Sequence, residues 1–221
     1  MIFTGNPGTG KTTVARVVGD LLKRMGILKS GHFVEVDRGG LVGRYVGETA
    51  PKTTDKFMSA LGGILFIDEA YALATDSFGK EAIDTIVKLM EDHQGNIIVI
   101  LAGYEKEMEE FLKTNAGLKS RFPLNVDFKD YSLHELVAIG ESMIKGRGFH
   151  LSEEAREALV ERVESEMQLS SAESGNGRMI RNIVEEGERR QSARISEDGY
   201  EYTDSTELIT FKASDFLVDT R

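Results

Sequence analysis

The sequence predicts an α/β fold, in which a parallel β-sheet covered by helices is followed by a smaller helical part. The short runs Ile64–Ile67 and Ile97–Ala102 are continuously apolar, which is typical of strands covered on both faces. A segment with helical spacing lies between them, and such alternation predicts parallel strands joined by right-handed crossovers. The pattern changes near Asp130, beyond which helical segments follow without a strong strand.

The first half of the chain alternates predicted strands and helices. The predicted strands are Met1–Phe3, His32–Val36, Ile64–Ile67, Ile97–Ala102 and Leu124–Phe128. Helices are predicted for Lys11 to about Met25, for Thr53–Leu61 and for Gly79–Gln94. The first helix is indicated by apolar residues at helical spacing, namely Val14, Val17, Val18, Leu21 and Leu22. The segment Leu41–Pro51 contains Gly43, Gly47 and Pro51, so it is predicted to be a loop.

Three helical segments and a polar stretch are predicted after Asp130. Ser132 and Glu135 have the spacing of a capping box and begin the first helix, and Ser152 with two following glutamates begins the second. The third helix carries an apolar stripe made of Met179, Ile180, Ile183 and Val184. The segment Ile195–Thr206 is polar and is predicted to be a loop, and Leu208–Phe211 is interpreted as either a short strand or a tail. We therefore expect a large α/β part over residues 1–130 and a helical part over residues 131–221 that ends in a tail.

Composition excludes several classes of protein. The chain has 221 residues, 40% of them apolar, which is enough for the core of one large domain with an appendage. A net charge of −10 argues against a general nucleic-acid binder. Cysteine is absent, and the four histidines do not have the spacing of metal ligands. The chain has neither a long apolar run nor a signal pattern, so we expect no membrane partner and a cytoplasmic location, with a plastid as the open alternative.

A phosphate-binding loop is the most specific motif in the sequence. Residues 5–12 fit the pattern G-x-x-x-x-G-K-[ST] between a predicted strand and a predicted helix. Glycines let successive backbone N–H groups face a phosphate, and the helix that follows presents its positive end. Lys11 adds a positive charge and Thr12 a hydroxyl for Mg²⁺. The residues expected to bind nucleotide are Gly5, Asn6, Pro7, Gly8, Thr9, Gly10, Lys11, Thr12 and Thr13.

Two carboxylates follow the apolar strand Ile64–Ile67. Asp68, at the strand end, can orient Mg²⁺ and its waters, so Thr12 and Asp68 are the expected metal-binding residues. Glu69, one residue further, is placed to polarise an attacking water. Taken alone, this pair is equally compatible with an acidic surface patch. Together with the phosphate-binding loop it favours hydrolysis by water over phosphoryl transfer to a small molecule.

The order of these features resembles the AAA+ ATPases, in particular the CbbX/CfxQ group. The group includes red-type Rubisco activase, stage V sporulation protein K and the ATPase module of type VII secretion. The stretches that carry the resemblance are FTGNPGTGKTTVA (Phe3–Ala15), LVGRYVGETAPKT (Leu41–Thr53), GGILFIDEAYAL (Gly62–Leu73), AGYEKEMEEFLKTNAGLKSRF (Ala102–Phe122) and GNGRMIRN (Gly175–Asn182). They span most of the chain, and the second and fourth are fairly specific to this group.

The resemblance implies an ATP- and Mg²⁺-dependent homo-hexameric ring that threads a protein substrate through its pore. It places Tyr45 and Val46 in the pore, where they would contact an extended polypeptide. It makes Arg121 an arginine finger that reaches the γ-phosphate of a neighbouring subunit. It also makes Arg178 the lid residue that senses the same subunit's γ-phosphate, with Arg181 as the competing candidate. Without the resemblance, Tyr45 could pack on its own subunit and Arg121 could belong to a surface ion pair.

Two departures from the family pattern leave alternatives open. Family members usually have Asn or Thr where this chain has Gly103 and Tyr104, so either the Tyr104 hydroxyl takes that sensor role or another residue does. The family module also usually has several dozen residues before the first strand, so we expect a fragment, a shortened gene model or a variant that needs another chain. The alternative functions are a non-hydrolysing nucleotide-binding scaffold, a DNA-acting AAA+ protein and a small-molecule kinase. ATP binding without turnover would favour the scaffold, and DNA-stimulated turnover would favour the DNA-acting protein. A phosphorylated metabolite would favour the kinase.

Overall fold

The computed structural model describes residues 1–114, 116–169, 175–197 and 205–217. The chain divides into two compact units. The first consists of Met1–Asn6 and Gly10–Lys129, and the second of Pro7–Thr9 and Asp130–Arg221. Residues 198–204 of the predicted polar loop and 218–221 of the predicted tail lie outside the described residues.

A five-stranded parallel sheet organises the first unit. Its strands are β1 (Ile2–Gly5), β2 (Phe33–Val36), β3 (Ile64–Ile67), β4 (Ile98–Gly103) and β5 (Asn125–Phe128). They lie in the order β2-β3-β4-β1-β5, and every neighbouring pair is parallel. The four residues of β3 are fully buried, and they alternate between two apolar clusters because successive side chains point to opposite faces. The prediction of a parallel sheet covered on both faces is confirmed.

Helices connect these strands. They are α1 (Lys11–Arg24), α2 (Arg38–Leu41), α3 (Thr49–Ser59), α4 (Ser77–Asp92), α5 (Glu105–Thr114) and α6 (Ala116–Arg121), and a 3₁₀ segment spans Ala70–Ala74. In α1 the buried residues are Ala15 and Gly19, whereas Val17 and Leu21 are 61% and 53% exposed. Val18 and Leu22, also in the predicted stripe, are partly buried against the core, so helical spacing identified the helix and only part of its buried face.

The predicted loop Leu41–Pro51 is shorter in the structure than in the prediction. Helix α3 begins at Thr49, so Pro51 lies in its first turn. A proline costs little there because the first N–H groups of a helix have no partner within it. Pro51 was therefore misread as a sign of a loop.

The second unit is mainly helical. It contains α7 (Leu133–Gly146), α8 (Glu153–Leu169), α9 (Asn176–Glu197) and α10 (Ser205–Leu208), together with a short parallel pair, β6 (His150–Leu151) and β7 (Thr210–Phe211). Ser132 and Glu135 form the predicted capping box of α7. The stripe on α9 is buried as predicted: Met179, Ile180, Ile183 and Val184. Strand β7 lies within Leu208–Phe211 and agrees with the strand alternative there, whereas its partner β6 is an addition to the all-helical arrangement expected here. Helix α9 continues to Glu197, into the segment predicted to be a loop.

Among the helices that the structure describes, we find none that combines the length and the apolar character needed to cross a bilayer.

Candidate active site

The glycine-rich loop runs from β1 into α1 with a backbone that other residues would strain. Gly8 and Gly10 have φ angles of 76° and 91°, a region that side chains disfavour. Gly5 has a φ of 144°, and a Cβ atom there would lie 2.3 Å from the carbonyl oxygen of Phe128 on the adjacent strand β5. The glycines predicted to shape a phosphate cradle are therefore required by its geometry.

The start of α1 is suited to an anion. Gly10 occupies the N-cap position, where it offers no side chain to the first N–H groups, and the first turn contains no acidic residue. Lys11 directs its Nζ atom to the carbonyl oxygens of Gly5 and Asn6, at 2.7 and 2.9 Å. Thr12 follows in the same turn. A helix N-terminus without a side-chain cap and with a lysine held at the loop can bind phosphate groups.

The two acidic residues follow the carboxyl end of β3. The glycine-rich loop follows the carboxyl end of β1, and because the sheet is parallel both lie at the same end of its strands. Strand β4 alone separates β3 from β1, so the ends of these strands are about 10 Å apart. The Asp68 amide donates to the Val36 carbonyl (2.9 Å), and the Asp68 carboxylate accepts the Glu69 amide (3.0 Å). Glu69 has a φ of 48°, an unusual conformation for a non-glycine residue. The strand end therefore fixes the backbone from which both carboxylates project.

A metal at this site would need oxygen atoms from its substrate. Among the described residues, no group of three or more His, Cys, Asp or Glu side chains could hold a metal ion by itself. One hydroxyl from Thr12 and one carboxylate from Asp68 fit Mg²⁺, which keeps several waters and commonly binds through few protein ligands plus phosphate oxygens. The donor set thus fits a magnesium–nucleotide complex rather than a permanent metal centre.

Two tyrosines, Tyr71 and Tyr104, lie near the acidic residues, and only Tyr104 was considered in the sequence analysis. The rings of Tyr71 and Tyr104 stack with centroids 5.9 Å apart. Burial and the neighbouring Glu69 raise the pKa of Tyr71 to about 12. A Cβ atom on Gly103 would lie 2.8 Å from the Tyr71 ring, which explains the glycine. Tyr104 was a sensor candidate, whereas Tyr71 was missed although it follows Asp68 and Glu69 closely.

Tyr45 and Val46 form the tip of an exposed loop between α2 and α3. They are 71% and 89% exposed, and Val46 is the most exposed of the large hydrophobic residues that the structure describes. The base of the loop is held, because the Glu48 carboxylate accepts the amides of Arg44 and Tyr45 at 3.0 and 3.1 Å. The structure therefore contradicts packing of Tyr45 against its own subunit.

Arg121 ends α6 in the first unit and is paired there. Its guanidinium forms an ion pair with Glu91 of α4 and donates to the Gly117 carbonyl at 3.2 Å. Both residues line a surface cleft of about 550 Å³ that also includes His93, Gln94 and Ser120. The side chain of Arg121 remains one third exposed, so another molecule can reach it.

Arg178 lies near the start of α9 in the second unit. It is exposed, and within the part of the chain that the structure describes no carboxylate pairs with it. The preceding residue, Gly177, donates its amide to the Gly8 carbonyl of the glycine-rich loop at 3.0 Å, and both belong to this unit. Arg181, the competing candidate, is likewise exposed one helical turn later.

Family models match almost all of the chain. Residues 1–130 match the ATPase family associated with various cellular activities (AAA), and residues 132–221 match the AAA lid domain. Stage V sporulation protein K of Bacillus subtilis is 49% identical over 222 residues, which cover 99% of this chain and 68% of that protein. The CfxQ homolog of Galdieria sulphuraria is 41% identical and covers 98% of this chain and 72% of its own length.

A solved structure shares the fold at much lower identity. The AAA domain of FIGL-1 in complex with ADP superposes with a TM-score of 0.66 at 19% identity, covering 97% of this chain and 68% of the other. The expected architecture, a parallel sheet of the AAA+ type followed by a helical lid, is therefore confirmed by the structure and by the family models.

Proposed function

This chain belongs to the AAA family of ATPases, within the CbbX/CfxQ group, and from that premise we propose that it acts as a subunit of a ring that pulls on a protein substrate. The proposed ring is a homo-hexamer, and the energy comes from ATP hydrolysis. The substrate is an extended segment of another protein, which moves through the central pore.

The proposed ATP site uses the glycine-rich loop and the end of β3. The backbone of residues 5–12 and the ammonium of Lys11 bind the phosphates, and Thr13 lies in the same helical turn. Thr12 and Asp68 would hold Mg²⁺, which would neutralise charge on the phosphates. Glu69 accepts a proton from the attacking water, which forms the new bond to the γ-phosphorus as ADP leaves.

Arg121 completes the site of a neighbouring subunit in this proposal. A guanidinium placed at the γ-phosphate stabilises the charge of the transition state. The exposed third of the Arg121 side chain supports this role, because the ion pair with Glu91 is open to solvent and is therefore weak. Arg178, exposed and without a carboxylate partner among the described residues, contacts the γ-phosphate from the lid.

The exposed tip of the loop between α2 and α3 is the observation that carries the proposed function. Tyr45 and Val46 are adjacent in the chain, most of both side chains is exposed, and Val46 is the most exposed of the large hydrophobic residues that the structure describes. An aromatic next to an aliphatic side chain can wedge against an extended polypeptide without reading its sequence. The fixed base at Glu48 lets the tip transmit force instead of yielding.

The proposal is tested by replacing the aromatic ring at the tip. Tyr45→Ala should weaken binding of a fluorescently labelled unfolded polypeptide about tenfold or more in the presence of a non-hydrolysable ATP analogue, as expected for loss of an aromatic anchor. Tyr45→Phe keeps the ring and should bind as the parent chain does. Fluorescence anisotropy measures both affinities.

Equal binding by the parent chain and Tyr45→Ala would refute the pore role of this loop. If the parent chain also binds nucleotide without hydrolysing it at any protein concentration, the scaffold alternative replaces the proposed motor.

A further inference from the structure

A buried asparagine begins helix α9 in an unusual backbone conformation. Asn176 is 6% exposed and has a φ of 60°, in the left-handed region. Its Oδ1 atom accepts the Tyr131 amide at 2.9 Å, and its Nδ2 atom donates to the Asp130 carboxylate at 2.8 Å. A side chain that both accepts and donates is thus needed, and asparagine is also among the few residues that tolerate this conformation.

Two residues beside Asn176 hold consecutive carbonyl groups of the glycine-rich loop. The Gly177 amide donates to the Gly8 carbonyl at 3.0 Å, and the Tyr131 hydroxyl donates to the Thr9 carbonyl at 2.9 Å. All of these residues belong to the second compact unit. The approach is close, because a Cβ atom on Gly177 would lie 2.8 Å from the Gly8 oxygen.

The geometry of the peptide bond converts these contacts into an orientation of the loop. In a planar trans peptide the carbonyl and the following N–H point in opposite directions. Bonds that hold the Gly8 and Thr9 carbonyls therefore turn the N–H groups of Thr9 and Gly10 away from Gly177 and Tyr131. Those two N–H groups belong to the backbone that binds phosphate in the proposed site.

We propose that Asn176, together with Asp130, is a positioning residue for nucleotide binding. It places Tyr131 and Gly177 so that they hold the crest of the loop, Gly8–Thr9, in the orientation that receives phosphate. This inference rests on the proposed role of residues 5–12 as the nucleotide site. Neither Asn176 nor Asp130 is required to touch the nucleotide.

A charge swap tests the pair. Asn176→Asp places two carboxylates at hydrogen-bonding distance and should weaken binding of a fluorescent ADP analogue about tenfold or more. Asp130→Asn keeps an acceptor oxygen and should cause only a small loss. In the double variant the amide and the carboxylate exchange places, so the affinity should return to within a few-fold of that of the parent chain. Asn182→Asp adds the same charge to an exposed site on α9 and should have no effect.

The readouts separate positioning from loss of fold. Circular dichroism and thermal unfolding identify any variant that does not fold. If Asn176→Asp does not fold, Asn176→Gly replaces it, because glycine accepts the left-handed backbone and lacks the side chain. Asn176→Gly should weaken binding of the ADP analogue in the same way. The inference is overturned if folded Asn176→Asp or Asn176→Gly binds the analogue as tightly as the parent chain, or if the double variant is no better than Asn176→Asp.

Lys11→Ala distinguishes this failure from a failure of the proposed function. If Lys11→Ala binds the analogue as well as the parent chain does, the assignment of residues 5–12 as the nucleotide site is refuted. The positioning role of Asn176 is then refuted as well, because it depends on that assignment.

Discussion

Glu69 is the residue whose backbone is most informative about chemistry. It has a φ of 48°, and such a conformation in a non-glycine residue costs on the order of 1 kcal/mol, so the surroundings must maintain it. The bond from the Glu69 amide to the Asp68 carboxylate is part of what holds it. In the proposed site this backbone carries Asp68, assigned to the metal, and Glu69, assigned to the attacking water.

Glu69→Gln should preserve ATP binding and abolish most hydrolysis. Glutamine is nearly the same size as glutamate and can also form a hydrogen bond with water, but its amide does not act as a base that accepts a proton. Loss of a general base lowers turnover by about 100-fold or more, so steady-state phosphate release should fall by that factor. Affinity for a fluorescent ATP analogue should stay within about twofold, because the phosphate contacts are unchanged.

Glu109→Gln, an exposed site on α5, serves as the matched control and should leave turnover as it is. Turnover that persists in Glu69→Gln would remove Glu69 from the proposed mechanism.

At the scale of elements, the loop between α2 and α3 shows how a short segment combines an exposed tip with a fixed base. Glu48 accepts two backbone amides from its own loop, and Gly43 donates its amide to the Thr49 hydroxyl at 3.1 Å. Gly47, with a φ of 87°, allows the turn that follows the tip. The base is therefore built from local contacts that do not depend on a bound ligand.

Glu48→Ala should loosen this loop without removing Tyr45. Each lost hydrogen bond is worth about 0.5–1.5 kcal/mol, so affinity for the unfolded polypeptide should fall about 3- to 10-fold or more. Both amides donate to one oxygen of Glu48, Oε2, so Glu48→Gln can keep both bonds without the charge, and its affinity should lie between those of the parent chain and Glu48→Ala. Hydrogen exchange at the Arg44 and Tyr45 amides should quicken in parallel, and exchange that does not change would contradict the role given to Glu48.

The elements differed in how far the sequence could predict them. β3 and β4 were predictable because a short apolar run without polar interruptions fits a strand buried on both faces. The start of α3 was not, since a proline is compatible both with a loop and with the first turn of a helix. The buried face of α1 was only partly predictable, because Val17 and Leu21 have the spacing of a helical stripe but remain exposed.

The candidate site was predictable where a motif fixes both residue type and backbone. Residues 5–12 and the pair after β3 are of this kind, and the structure puts their strands on one sheet edge. Tyr71 and Asn176 were not identified because their roles depend on contacts with residues distant in sequence, Tyr104 in one case and Asp130 in the other. Such contacts leave no local pattern in a single sequence.

For the whole molecule, the proposed ring makes each ATP site a shared property of two subunits. One subunit supplies Lys11 and the neighbour supplies Arg121. Head-to-tail contacts of this kind close into rings when the rotation between subunits permits. Activity should then depend on assembly rather than on the single chain.

A mixture of two inactive variants tests this dependence. Lys11→Ala lacks the loop cation and Arg121→Ala lacks the finger, so each alone should be nearly inactive. In a random equal mixture about a quarter of the interfaces join an intact loop to an intact finger, and ATPase activity should reappear in that proportion. Mass photometry verifies that mixed rings form, and mixed rings without activity would show that Arg121 does not act across the interface.

The ion pair between Glu91 and Arg121 bears on how readily such an assembly could come apart. Because the pair is partly exposed, breaking it costs at most about 1 kcal/mol. Arg121 can therefore leave Glu91 at little cost in free energy when it binds the phosphate of a neighbouring subunit in the proposed ring. The reverse also holds, since a departing subunit regains a partner for its arginine at once. In the proposed ring, the contact that Arg121 leaves within its own subunit would therefore add little to the free-energy cost of forming an interface.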